Sequence, residues 1–158
     1  MKEKKRISVL FVCLGNICRS PMAEFVMKKL LLDEGLADRI EVASAATSTW
    51  EIGNDVHRGS RDVMRRRGVP FSKRQARLMA RRDYDAYDYL IGMERENLLD
   101  MKRISGGDPE NKMRLLLSFA GKERDIADPW YTGDFDSTYE DVLEGCEALL
   151  EQLKRELD

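Results

Sequence analysis

The segment Cys13-Leu14-Gly15-Asn16-Ile17-Cys18-Arg19-Ser20-Pro21 puts a nucleophile and a permanent cation within one short stretch of chain. A thiolate attacks electrophilic centres such as phosphorus, and a guanidinium binds two oxygens of a phosphoryl group with its planar fork. A loop that winds into a helix N-terminus aims several backbone N–H groups at one centre, where they and the helix dipole can hold an oxyanion. At the bottom of such a cradle the thiol of Cys13 is expected to fall from about 8.5 to roughly 3.5–7.5 in pKa and to be a thiolate at neutral pH. Gly15 and Asn16 are residue types that tolerate left-handed backbone. The Ser20 hydroxyl can donate to the thiolate while accepting a backbone N–H, and Pro21 suits the first position of a helix. A Cys and an Arg six apart recur by chance, so the weight of this spacing rests on the elements around it.

Residues 7–12 are a short β-branched and aromatic run of the kind that makes a strand buried on both faces, and it ends at Cys13. From Met22, the apolar residues Met22, Phe25, Val26 and Leu30 recur at helical spacing, with Gly35 as a C-terminal cap. The alternation continues with 40–46 as a strand, 61–67 as a helix ended by Gly68, 89–93 as a strand and 94–102 as a helix. Residues 113–119 read as either a strand or a helical turn. Val142, Cys146, Leu149, Leu150 and Leu153 form an apolar stripe on a closing helix. This rhythm predicts an α/β doubly wound domain with a parallel sheet covered by helices. Ligands of such sheets bind at the carboxyl ends of strands, next to helix N-termini, and the segment after the first strand is such a place.

A chain of 158 residues that is 42% apolar encloses one core, so a single domain over 1–158 is expected. Charged residues make up 35%, but Lys+Arg 27 nearly cancels Asp+Glu 29. No broad surface for nucleic acid or anionic membrane is implied, and any anion site must be local. The run from Lys2 to Arg6 leads into only six largely apolar residues, too few for a signal-peptide core or a membrane span, so a cytoplasmic location is expected. Three cysteines argue against a disulfide framework and leave Cys13 and Cys18 free for chemistry. Cys146 reads as a core residue on the last helix. Apart from the loop cysteines, only Cys146 and His57 offer thiol or imidazole ligands, and neither lies at a familiar zinc spacing, so no metal is expected. Arg65-Arg66-Arg67 falls at the end of the second helix, where the dipole favours cations.

From Val9 to Glu24 the chain resembles the opening motif of the low-molecular-weight protein tyrosine phosphatases almost without change, and Asp128-Pro129-Trp130-Tyr131 is similar to that family's acid loop. The likeness spans nearly the whole length. It implies a four-stranded parallel sheet flanked by helices and a two-step reaction without metal or cofactor. Cys13 would attack phosphorus while Arg19 clamps the phosphoryl group, and Asp128 would protonate the leaving tyrosine oxygen. The same Asp would then deprotonate the water that hydrolyses the thiophosphate. A phenolate with a pKa of about 10 leaves poorly enough for that proton to matter. The implied substrate is a phosphotyrosine-bearing protein or peptide, and the implied product is inorganic phosphate. The resemblance makes Leu14, Gly15, Asn16, Ile17, Cys18 and Ser20 the substrate-binding loop, with Asn16 and Ser44 on the second strand holding its backbone. Trp50, Trp130 and Tyr131 resemble the aromatic residues that wall the cleft and grip the tyrosyl ring.

Two stretches depart from the family pattern. Arg74 stands where many members carry a buried His, which leaves open what completes the network behind Asn16 and Ser44. The Pro-rich turn before the second helix is replaced by residues 53–58, so His57 is read as a surface histidine. Protein-arginine phosphatases and thioredoxin-coupled arsenate reductases share the fold and loop, and a phosphate-binding module without catalysis is the non-enzymatic alternative. The reductase needs more cysteines than Cys146 to carry a disulfide outward, and a non-catalytic module is expected to lack Cys13 or Asp128. In the arginine-specific members position 17 looks like a small polar Thr. The branched apolar Ile17 suits a phenyl face, which favours phosphotyrosine.

Overall fold

The computed structural model describes residues 6–158, so most of the basic run from Lys2 to Arg6 lies outside the described residues. In β1 (Ile7–Cys13) successive side chains point to opposite faces of the sheet. Val9 and Phe11 enter the larger hydrophobic cluster, Leu10 and Val12 the smaller one, and all four are fully buried. Burial on both faces is why this strand is continuously apolar rather than alternating.

β2 (Ile40–Ala46), β3 (Tyr89–Gly92) and β4 (Met113–Leu115) complete a four-stranded sheet of order β2-β1-β3-β4 in which every pair is parallel. The chain passes from β1 to β2 on one side and later returns to add β3 and β4 on the other. The order therefore reverses between β1 and β3, and the crevice at their carboxyl ends is where such sheets take ligands.

One face is covered by α1 (Arg19–Asp33) and α6 (Phe135–Leu157), whose stripe of Val142, Cys146, Leu149, Leu150 and Leu153 lies in the larger cluster. Met101, on α4 (Arg95–Ser105), and Met79 fill the smaller cluster on the other face. α2 (Arg58–Arg66), α3 (Asp83–Ala86) and α5 (Pro129–Thr132) complete the helices. Cys146 is a core residue as expected, fully buried with its thiol 3.7 Å from the Ala23 carbonyl. Among the described residues no helix is long and apolar enough to cross a membrane.

Two helix starts differ from the expectation. α1 begins at Arg19 rather than Met22 because the loop winds straight into the helix, and Pro21 is its third residue, still among the N–H positions without an intrahelical partner. α2 begins three residues early because Nδ1 of His57 accepts the Gly59 N–H at 3.0 Å. Residues 113–119 are both alternatives in turn, a strand and then a 3₁₀ helix (Leu116–Ala120). The arginines at the end of α2 are tied to α6: Arg66 pairs with Asp136 at 3.0 Å, and Arg67 with Glu140 at 2.7 Å and over the Tyr139 ring.

Candidate active site

Cys13 is the last residue of β1, so its side chain stands at the carboxyl end of the sheet. The loop that follows is held from outside by its carbonyls. Thr47 N–H donates to the Cys13 carbonyl, Ser48 N–H and hydroxyl to that of Leu14, His57 N–H to that of Ile17, and the Ser60 hydroxyl to that of Cys18. With those carbonyl oxygens engaged by neighbouring segments, the loop N–H groups are the polar edge available to an oxyanion.

Asn16 is the residue that turns the loop. It has φ 58, and its side chain is fully buried and fully used: Nδ2 donates to Ser20 Oγ at 2.8 Å and Ser44 Oγ at 2.9 Å, and Oδ1 accepts the Arg77 N–H at 3.2 Å. Gly15 does not adopt the left-handed conformation expected of it; its α-carbon instead packs close to Glu51, whose Cγ would lie 3.4 Å from an added Cβ. Ser20 Oγ lies 3.0 Å from Cys13 Sγ and accepts from Asn16 rather than from the backbone, while its own N–H reaches the same sulfur at 3.4 Å. The network closes on Glu24, which accepts from Ser44 Oγ at 2.6 Å and is paired with Lys28. Arg74 donates to the Asn54 carbonyl; burial lowers its pKa, while the negative charge of Glu24 and of Cys13 opposes that shift.

Arg19 is 1% exposed, an expensive place for a cation unless it is paired. Its Nη1 donates to the Ile126 carbonyl at 2.9 Å and meets Glu94 Oε2 at 3.1 Å, and its Nη2 meets Asp128 Oδ2 at 3.3 Å. Burial alone would lower its pKa, but the Cys13 charge, Glu94 and Asp128 together hold it raised. Of the five N–H groups of a guanidinium, three are engaged by these acceptors among the described residues, which leaves two for an oxyanion. The Cys18 thiol is pushed up to about 12, by burial first and then by the charges of Cys13 and Asp128.

Asp128 caps α5, its Oδ1 accepting the Trp130 N–H at 3.0 Å. One cleft is lined by Cys13, Leu14, Gly15, Ile17, Cys18, Arg19, Trp50, Asp128, Trp130 and Tyr131, together with Glu51. The side chains of Asn16, Ser20 and Ser44 stand behind the nucleophile instead. Trp50 is 73% exposed at the mouth and is no core aromatic, and Tyr131 is equally open. His57 is not the free surface histidine expected: it is half-buried, stacked on Phe135 and edge-on to Trp130.

Sequence reasoning missed Glu94, the Ile126 carbonyl, Glu24 and Glu51. Glu94 could have been suspected from its place just after β3, at the carboxyl end of the sheet. A backbone carbonyl carries no residue-type signal at all.

The family described as low molecular weight phosphotyrosine protein phosphatase matches residues 8–158. The chain belongs to this family. It is 40% identical over 152 residues to the low molecular weight protein-tyrosine-phosphatase YfkJ of Bacillus subtilis, covering 95% of this chain and 97% of that relative. The low molecular weight phosphotyrosine protein phosphatase of Homo sapiens is 41% identical over 157 residues, with 96% and 99% covered. The crystal structure of YfkJ superposes with a TM-score of 0.93 over 98% of this chain and 99% of that one, at 38% identity. A more distant likeness, 32% identical with a TM-score of 0.84 over 92% and 97% of the two chains, is the Drosophila arginine phosphatase. The four-stranded parallel sheet flanked by helices is thus the fold of this phosphatase family.

Proposed function

We propose that this phosphatase hydrolyses phosphotyrosine in proteins, with Cys13 as nucleophile, Arg19 as phosphate clamp and Asp128 as general acid and base. The observation that carries this reading is the convergence of Cys13 Sγ, the buried Arg19 and the carboxylate of Asp128 on one cleft walled by exposed aromatic rings. The phosphoryl oxygens take the loop N–H groups and the two remaining N–H groups of Arg19. The Cys13 thiolate, steadied by Ser20, attacks phosphorus as the ester P–O bond breaks, and Asp128 gives its proton to the phenolic oxygen. Water then attacks the thiophosphate, Asp128 takes its proton, the S–P bond breaks, and inorganic phosphate leaves.

Ile17 supports the choice of substrate. It lines the cleft at 7% exposure and belongs to an apolar cluster with Cys18, Ala76 and Phe135, a side chain that suits a phenyl ring and itself offers a guanidinium no partner. The same reading places the whole chain as one phosphatase domain acting in the cytoplasm, in keeping with its three free cysteines. In that compartment peroxide would oxidise Cys13 to a sulfenic acid. The Cys18 thiol then attacks that sulfur, releasing water and closing a disulfide that reductant reopens.

The test is a hydrolysis panel of phosphotyrosine, phosphoserine and phosphoarginine peptides with Cys13→Ser as control. Phosphotyrosine is expected to be preferred and the control inactive; faster release from phosphoarginine would overturn the substrate while leaving the fold untouched.

A further inference from the structure

His57 stands where two loops distant in the chain come together. Its own N–H donates to the Ile17 carbonyl at 2.8 Å, which ties its backbone to the loop that follows Cys13. Its ring lies edge-on to Trp130, with centroids 5.5 Å apart and planes at 76°, and Trp130 N–H is the group that Asp128 accepts. On its other side the ring stacks on Phe135 at 5.1 Å and 16°, the first residue of α6. Phe135 in turn packs on Ile17, Cys18 and Ala76. Gly59 is shaped to this arrangement, since a Cβ there would come within 2.4 Å of the Phe135 ring.

Rotation of the imidazole is also set. Nδ1 accepts the Gly59 N–H at 3.0 Å, so in this arrangement Nδ1 carries no proton and the ring cannot turn without losing the cap of α2. His57 is not among the residues that line the cleft.

We infer that His57 is a positioning residue for the general acid, holding the segment of Asp128 in register with the loop of Cys13 through the Trp130 ring; this rests on the reading of Asp128 as the acid. The direct polar links between the two loops both run through Arg19, to the Ile126 carbonyl at 2.9 Å and to Asp128 itself at 3.3 Å, and the guanidinium that makes them is the one an incoming phosphoryl group must share. The ring contacts of His57 are a connection that does not run through the guanidinium, and they reach the residue whose N–H Asp128 accepts. An acid displaced by about 1 Å loses much of its effect while the nucleophile is untouched, so the signature is a loss confined to poor leaving groups.

The experiment compares kcat/KM on a phosphotyrosine peptide with kcat/KM on p-nitrophenyl phosphate, whose leaving group needs little protonation. His57→Asn keeps a helix-capping acceptor but removes the ring, and is expected to lose about tenfold on the peptide and less than about twofold on the aryl phosphate. His57→Phe keeps the rings without the acceptor; it should melt lower than the wild type but retain the wild-type ratio. Asp128→Ala sets the scale with a larger loss on the peptide. A wild-type ratio in His57→Asn, or equal losses on both substrates, beside a selective loss in Asp128→Ala, overturns the role of His57 alone. An unselective Asp128→Ala removes Asp128 from the acid role and this inference with it. His57→Ser, a second capping residue without a ring, must reproduce the His57→Asn result, and it decides the matter if the Asn variant does not fold.

Discussion

Removing a buried guanidinium and removing a sulfur nucleophile have different consequences, because one group binds and the other reacts. Cys13→Ser should abolish turnover yet still bind phosphate or tungstate by calorimetry, since the N–H edge and Arg19 remain; Arg19→Ala should lose both binding and turnover. Retained turnover in Cys13→Ser would rule out a covalent route. Asp128→Ala should cost about 10²–10⁴ on phosphotyrosine peptides and far less on aryl phosphates with good leaving groups. Equal losses on the two would take Asp128 out of proton transfer. Cys18 is a protonated thiol, pushed up to about 12, and therefore a slow but protected partner for an oxidised Cys13. After mild peroxide the wild type should recover with reductant while Cys18→Ser stays inactive; equal recovery would leave Cys18 without that role. The residues of this chemistry were readable because reactivity is a property of residue type. Their supports, Glu94, Glu24 and the Ile126 carbonyl, were not, since an ordinary carboxylate or a backbone oxygen acquires its function only from what lies beside it.

Among the elements, the N-terminus of α2 is the one whose form follows from a contact rather than from its own sequence pattern. Helix propensity favours Ala over Gly at position 59 by about 0.8–1.0 kcal/mol, but an added Cβ would overlap the Phe135 ring, and such overpacking costs about 1–3 kcal/mol. Gly59→Ala should therefore lower the unfolding free energy by up to about 2 kcal/mol in urea titrations, and a stabilised variant would show that α6 shifts freely. The periodic segments β1, α1 and α6 were readable because their apolar spacing records the face they bury. The four-residue turns α3 and α5 are too short to carry a period, and the early start of α2 depends on a histidine cap that no spacing rule anticipates.

For the whole molecule, the shifted groups predict sensitivity to alkali. Cys18 is raised from 9.0 to about 12, and Tyr89 from 10.0 to about 12, each by burial first. Folding therefore favours the neutral forms: the stabilisation is fully present below about pH 9 and is lost as pH rises toward 12, where the unfolded chain ionises before the folded one. Melting temperature should hold between pH 7 and about 8.5 and then fall, with the fall between pH 9 and 10 shallower in Cys18→Ser. A profile flat to pH 11 would contradict the burial of these groups.

Chain order and residue type were enough to place the nucleophile loop between a strand and a helix, the acid loop near the far end, and a parallel sheet between them. Each of these is encoded locally, as a spacing of a few residues or an apolar period. The closing of the site was not so encoded. Glu94 follows β3, Ile126 precedes α5 and His57 caps α2, and they meet Arg19 and Trp130 because the order β2-β1-β3-β4 sets the carboxyl end of β3 beside that of β1, and packing against α6 brings α2 up to the acid loop. Such contacts are properties of three-dimensional proximity, in which the identity of each partner constrains the other only weakly.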